Sequence, residues 1–262
     1  MSDLMDLKGR VALVTGAGQG VGRQVALYLA EQGAGGVVVN DYFQERADAV
    51  ASEITEAGSR AIGVQADVTD LDSVTAMVTA GEEEFGQVDI LVNNAGNAGP
   101  TASIGEAAPF WETGPEDWAK WMDVNYYGVL HSTRAALPGM VERNYGRIVT
   151  VISDAGRVGE PHLVVYSGAK AGAAGLMRGV AKAVGRHGIT VNSVALAAIE
   201  TPTTAPMMED DAARKAMLRS YVIRRVGTPE DPAGLIVFLA SDAASWITGQ
   251  TFPVNGGYSF AM

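Results

Sequence analysis

Tyr166-Ser-Gly-Ala-Lys170 sets a phenol and an ammonium four residues apart, a spacing that puts both on one face of a helix. A phenol titrates near 10, so exchanging a proton with a substrate near pH 7 requires its phenolate to be favoured by roughly two to three units, about 3 to 4 kcal/mol. An ammonium about 6 Å away, at an effective dielectric near 20, supplies roughly 2.8 kcal/mol. Lys170 alone therefore comes close to what the phenol needs. Ser153, thirteen residues before Tyr166 at the end of an apolar run, adds a hydroxyl that can donate to a carbonyl oxygen. Asn125 adds an amide whose burial would demand partners and which could hold a water chain to Lys170. Together these groups suit proton exchange at an alcohol or a ketone.

A second set lies near the start. Thr15-Gly-Ala-Gly-Gln-Gly-Val-Gly22 follows one apolar run and opens directly into a segment of helical spacing. Glycines let a backbone turn sharply and approach a ligand, while the free N–H groups and positive dipole end of a helix attract a pyrophosphate. Gly16, Gln19, Gly20, Val21 and Gly22 are thus candidate phosphate-side residues. The spacing departs from a strict G-x-G-x-x-G, since Val21 stands where the third glycine would fall, and no G-K-[ST] ending marks a P-loop. Asp41, nineteen residues past Gly22, is placed to accept from a ribose 2′-OH and to repel a 2′-phosphate. Gln19 is neutral and the nearest base past Asp41 is Arg46, so NAD is favoured over NADP, with Arg23 the one base able to soften that preference.

The elements that must position these groups are legible as short Val/Ile-rich runs at 11–15, 37–39, 61–64, 90–92, 147–152, 190–194 and 251–254. They read as strands buried on both faces. Between them, helical spacing covers 21–32, 43–57, 73–85, 116–143, 165–187 and 231–239. Such alternation implies α/β architecture, one doubly wound Rossmann-type domain over 1–262 with a parallel sheet covered on both sides. Two segments break the rhythm, 97–114 and 199–228. Both leave from carboxyl ends of strands, where an open α/β sheet binds its ligands, and 199–228 is the candidate substrate lid.

Of 262 residues, 47% are apolar, enough for a sizeable core, and none is cysteine. No disulfide framework or thiolate metal site is possible, and His131, His162 and His187 are too scattered for H-E-x-x-H, so no metal is expected. The net charge of −11 argues against nucleic acid and anionic membrane surfaces as partners. The first ten residues lack the basic flank and apolar stretch of a signal peptide, and the protein reads as soluble and cytoplasmic.

Over essentially its whole length the sequence resembles the short-chain dehydrogenase/reductase family, in which a Thr15-Gly-x-x-x-Gly-x-Gly22 pattern, Asn93-Asn-Ala-Gly96, a serine at Ser153 and Tyr166-x-x-x-Lys170 occur together in this order. The resemblance implies a general acid/base at Tyr166, substrate polarisation by Ser153, a water relay through Asn125, and a Lys170 that tunes the phenol and holds the nicotinamide ribose. It further implies adenine contacts from Asp67 and Val68, an adenosine-ribose segment of Asn94, Ala95 and Gly96, and nicotinamide-side contacts at Ile199 and Thr201. A strand order 3-2-1-4-5-6-7 and a homotetramer complete the expectation. The implied reaction is NAD-dependent interconversion of a secondary alcohol and a ketone. A 3-hydroxyacyl thioester dehydrogenase or 3-oxoacyl reductase is the nearest rival, and a non-catalytic dinucleotide sensor the rival of another class.

Two departures stand out. Leu196-Ala197 occupies the place where the family usually carries Pro-Gly, and Asp154 follows Ser153 where a small residue is usual. Asp154 reads as a turn former or as a charge near the substrate mouth. Phe110 and Trp111 in the longer loop, Met207 and Met208 in the lid, and His162 are candidate substrate contacts, while Trp118 and Trp121 read as core. This apolar, adaptable surface suits a bulky alicyclic, aromatic or acyl substrate.

Overall fold

The apolar runs become strands because helices cover both of their faces. A computed structural model of the chain describes residues 4–96, 108–202, 204–205 and 209–260. Strands β1 (Val11–Val14), β2 (Gly36–Asp41), β3 (Ala61–Gln65), β4 (Ile90–Asn93), β5 (Gly146–Ser153), β6 (Ile189–Leu196) and β7 (Thr251–Val254) form one parallel sheet in the order β3-β2-β1-β4-β5-β6-β7. This is the order the resemblance implied. The helices are α1 (Gly20–Glu31), α2 (Gln44–Glu56), α3 (Leu71–Phe85), α4 (Pro115–Met122), α5 (Gly128–Arg143), α6 (Ala155–Val158), α7 (Val164–Val184), α8 (Asp211–Leu218) and α9 (Glu230–Ala240). Among the described residues no helix is long and apolar enough to cross a membrane.

Alternation along a strand sends successive side chains to opposite faces. In β1, Ala12 and Val14 join Val25, Leu29, Ile54 and Ile236 from α1, α2 and α9. Leu13 joins Val74, Met77, Met140 and Met177 from α3, α5 and α7. The central strands β1, β4 and β5 are therefore mostly apolar, with Asn93, Arg147, Thr150 and Ser153 as polar exceptions, and the ladder brings their carboxyl ends to one edge: Val14 pairs with Val92, Asn93 with Thr150, and Ser153 with Leu196.

Three local features differ from the sequence reading. The stretch 116–143 is not one helix, because a π-helical turn at Asp123–Tyr127 separates α4 from α5, with the Gly128 N–H donating to the Asp123 carbonyl. Such a turn inserts a residue and rotates the remainder of the helix about its axis. The four-residue α6 directly after Ser153 was not anticipated. Nor was α8, although its start is marked by Asp210, whose carboxylate accepts from the N–H groups of Ala212 (2.8 Å) and Ala213 (3.1 Å).

Leu13 is fully buried at the centre of the sheet. Leu13→Ala is expected to lower unfolding free energy by about 2 to 5 kcal/mol in urea titrations. A loss below about 1 kcal/mol would show that the site collapses around the void or is not central.

Candidate active site

Thr15 closes β1 with a buried hydroxyl that accepts from the N–H groups of Asn94 (3.0 Å) and Ala95 (3.1 Å). The Asn94 amide donates back to the carbonyls of Thr15 (3.0 Å) and Gly16 (2.9 Å). The turn after β1 and the segment after β4 are thereby clipped together. Gly16 and Gly20 sit at φ +61° and +57°, the left-handed region that glycine occupies without strain. A Cβ on Gly16 would lie 2.9 Å from the Ala95 Cα, and one on Gly22 would strike the Asn94 amide. On Gly20 it would meet the Thr201 methyl at 3.2 Å, which brings Thr201 over the glycine turn.

The first turn of α1, which includes Val21, carries no acidic side chain, leaving its positive end to an anion. Asp41 is held at the same turn: one carboxylate oxygen accepts from the Gly18 N–H and the other from the Phe43 N–H, both at 3.1 Å. Arg23 is engaged with Glu53 in an ion pair, and the Arg46 guanidinium lies 4.5 Å from the centre of the Phe43 ring. Backbone left bare by steric need, an open helix end and a fixed carboxylate at the end of β2 together fit a dinucleotide. Farther along this edge, the Asp67 carboxylate accepts from the N–H (2.9 Å) and hydroxyl (2.8 Å) of Thr69. Val68 packs on Gly128.

The second half of the cleft gathers around α7. Tyr166 lies in its first turn and Lys170 one turn later, with the lysine Nζ 5.8 Å from the centre of the phenol ring. Lys170 is 3% exposed and donates to the Val151 carbonyl at 3.0 Å. The π-helical turn buries Asn125, whose amide donates to the Trp121 carbonyl at 2.9 Å. A Cβ on Gly96 would stand 3.1 Å from Lys170 Nζ and 3.2 Å from Asn125 Oδ1, so both polar atoms face the same small residue. The Ser153 hydroxyl accepts from the Ala155 N–H at 3.1 Å and lies 3.4 Å from the Leu196 carbonyl, near enough to the Tyr166 phenol to lower its pKa. The four groups singled out for proton exchange therefore converge.

A family model described as enoyl-(acyl carrier protein) reductase matches residues 16–259. A 3-oxoacyl-[acyl-carrier-protein] reductase of Synechocystis is 40% identical over 252 residues, covering 96% of this chain and 97% of the relative. The cis-4-hydroxycyclohexanecarboxylate dehydrogenase of Sinomonas cyclohexanicum is 42% identical over 250 residues, 95% and 96% of the two chains. Among solved structures, a short-chain type dehydrogenase/reductase from Mycobacterium marinum superposes with a TM-score of 0.89 at 34% identity, covering 99% of each chain. The chain belongs to the short-chain dehydrogenase/reductase family. It is an oxidoreductase, and its family binds a nicotinamide dinucleotide.

Within this short-chain dehydrogenase the electrostatics differ from the simple Coulombic expectation. Burial pushes the Tyr166 phenol above its ordinary value, only partly countered by the Ser153 hydroxyl. Burial also pulls Lys170 down to about 8. Desolvation thus outweighs the attraction that Lys170 was expected to supply, and the phenol is protonated at pH 7.

Trp121, read from sequence as core, packs edge-on against Tyr166 with ring centres 5.5 Å apart. Its position three residues after Trp118 signalled a helix face but not which face. Phe110 stacks on Trp118 at 6.1 Å, and Trp111 is 82% exposed. His162 is exposed on the loop before α7. Ile199 is buried and bridges Gly227. Met207 and Met208 lie outside the described residues, as does most of 97–114. Asp154, instead of facing a mouth, is buried and ion-paired to Arg157.

The Lys170 shift has a fixed sign. Its folded value near 8 lies below the ordinary 10.5, so the buried ammonium costs stability below pH 8, and the cost is relieved as pH rises from 8 toward 10.5. In ligand-free protein, the unfolding free energy of the native chain relative to Lys170→Met should rise by on the order of 2 kcal/mol between pH 7 and 10. A pH-independent difference would mean that the ammonium is not desolvated.

Proposed function

We propose that this chain is an NAD-dependent dehydrogenase that interconverts a bulky secondary alcohol and its ketone, with Tyr166 as the general acid/base. The observation that carries the reading is the meeting of Ser153, Tyr166 and Lys170 at the carboxyl edge of β5, beside the turn that fits a dinucleotide. The bound nicotinamide would supply the hydride acceptor or donor. Ser153 would hold the substrate oxygen; the protonated phenol would donate to that oxygen in ketone reduction, and its phenolate form would take the hydroxyl proton in alcohol oxidation. Lys170 would hold positive charge near the phenol and hydrogen-bond the nicotinamide ribose, and Asn125 would anchor a water path to it. Gly16, Gln19, Gly20, Val21 and Gly22 would take the pyrophosphate side, Asp67 and Val68 the adenine, Asn94, Ala95 and Gly96 the adenosine ribose, and Ile199 and Thr201 the nicotinamide side.

NAD is proposed because the Asp41 carboxylate is fixed at the glycine turn while both neighbouring bases, Arg23 and Arg46, have other partners. The segment 199–228 is proposed as the lid of one dehydrogenase domain spanning the chain. A bulky substrate is supported by Trp121 beside the phenol and by relatives named for an acyl carrier thioester and for a cyclohexane ring. A 3-oxoacyl thioester is the second reading, favoured by the name of the Synechocystis relative. A homotetramer, on the family resemblance, and a cytoplasmic location complete the proposal. The tetramer is also supported by Trp246, 98% exposed next to β7.

Tyr166→Phe should leave NADH binding nearly intact, read by fluorescence titration, and lower turnover of an active alcohol by at least about 10²-fold. A fully active variant would remove the assignment. A substrate panel that includes cyclic alcohols and acyl-CoA thioesters should be run with both dinucleotides. NAD is expected to give the higher kcat/KM, and Asp41→Ser to narrow that ratio by roughly tenfold or more, equivalent to about 1.4 kcal/mol. Preference for NADP in the native enzyme would overturn the role given to Asp41.

A further inference from the structure

Asp154 is 1% exposed, and the position follows Ser153 directly. Its two carboxylate oxygens face different elements. One accepts from the Arg157 guanidinium on α6, the other from the Asn255 amide at 2.6 Å. Arg157 then reaches beyond its partner, donating to the Ser259 hydroxyl at 2.8 Å and to the Phe260 carbonyl at 3.0 Å. Asn255 also donates to the Ser259 carbonyl at 2.8 Å. The C-terminal tail, 255–260, is therefore wrapped around a buried ion pair that belongs to the turn after β5.

The tail has a second attachment. Its Gly256 carbonyl accepts from the Ile223 N–H at 2.8 Å, and the Tyr258 ring lies 5.3 Å from that of Tyr221. Both partners belong to the end of the 199–228 segment. On its other side α6 rests on α7: a Cβ on Gly156 would come within 2.8 Å of the Ala171 nitrogen and 2.9 Å of the Lys170 backbone. One small turn thus touches the strand end bearing Ser153, the helix bearing Tyr166 and Lys170, and the tail that carries the return limb of the lid segment. A buried ion pair is a poor source of net stability, but its charge-assisted bonds are directional.

We propose that Asp154 and Arg157 are positioning residues for the substrate pocket: their ion pair latches the C-terminal tail to the Ser153 turn and, through the tail, holds the return limb of segment 199–228 in place. The inference rests on the assignment of Ser153 and Tyr166 to the reacting end of that pocket. The phosphate and adenosine side of the dinucleotide cradle is built from the ends of β1, β2 and β4, which the latch does not touch. Breaking the latch should therefore weaken substrate binding much more than dinucleotide binding.

The test uses full-length Asp154→Asn and Arg157→Gln, a chain ending at Tyr258, and the combination of Arg157→Gln with that truncation. Amide hydrogen exchange on ligand-free protein reads the latch itself: tail residues 255–258 should exchange at least about tenfold faster in both point variants, while the β1 and β4 amides keep native protection. With an active alcohol, KM should rise by about fivefold or more, with kcat within about threefold and the NADH Kd within about twofold. The combined variant should be no worse than the truncation alone, because both remove one connection. If Asp154→Asn fails to fold, Arg157→Gln and the truncation carry the same expectations. Unchanged tail exchange would show that there is no latch. A released tail with unchanged KM, or additive losses in the combined variant, would reduce the pair to a structural contact. A Tyr166→Phe enzyme that stayed active would remove the chemical assignment while leaving the exchange result to stand.

Discussion

An ammonium sealed between a helix and a sheet is unfavourable unless its surroundings compensate, and Lys170 is such a group. Its proton titrates near 8, well below the ordinary lysine value, because little water reaches it, and its Nζ donates to a strand carbonyl, that of Val151. That arrangement requires α7 to lie flat on β5 at a fixed height. The requirement is met by residues with little bulk: Gly156 beside the Lys170 backbone, Gly96 beside its Nζ, and Ala169, Ala173 and Ala174 on the buried side of the helix. With the lysine fixed, the phenol one turn earlier is fixed too, at the strand end that presents Ser153. The same closeness excludes water from the phenol, which is why its acidity falls. The desolvation that raises the phenol also strengthens any charge later brought beside it, since the local dielectric is low.

Much of this was legible in the sequence. Burial on both faces makes the inner parallel strands rich in apolar residues, and even the partly buried edge strands β3 and β7 keep short apolar runs, so all seven strands were visible in the sequence, and their order followed from the family pattern. The glycine turn was readable because its constraint is steric and local. The convergence of Ser153, Tyr166, Lys170 and Asn125 needed the pattern as a whole, since Ser153 and Asn125 lie on different elements from the helix. What stayed hidden depended on tertiary context. The π-helical turn at Asp123–Tyr127 leaves no periodicity signal different from that of a continuous helix, yet it decides that Asn125 and Trp121 face α7. Coulomb's law between Tyr166 and Lys170 was computable from spacing, whereas the opposing desolvation depends on depth, and depth is set by the packed helices. The partner that occupies Arg23, Glu53 in α2, and the second partner of Asp154, Asn255 near the C-terminus, are remote in sequence and could not be read from either neighbourhood.

The loop after β6 shows how one departure from the family pattern is accommodated. Proline fixes a backbone dihedral permanently, including in the unfolded chain. With Leu196-Ala197 in that place, the path is fixed by hydrogen bonds instead. The Leu196 carbonyl accepts from the Asp154 N–H at 2.8 Å, the Ala198 N–H donates to the Tyr221 hydroxyl at 3.1 Å, and the Gly227 N–H donates to the Ala198 carbonyl at 3.1 Å. Each such bond contributes about 0.5 to 1.5 kcal/mol net, so three of them can match or exceed what one proline would give. They differ from proline in being conditional. Two of the three partners, Tyr221 and Gly227, belong to segment 199–228, so the order of residues 196–198 depends on that segment being seated. The covalent constraint of the usual pattern would fix this path without contacts to the segment. Here the side of the cleft beyond β6 is held by contacts with the segment itself rather than by the chain's own covalent geometry.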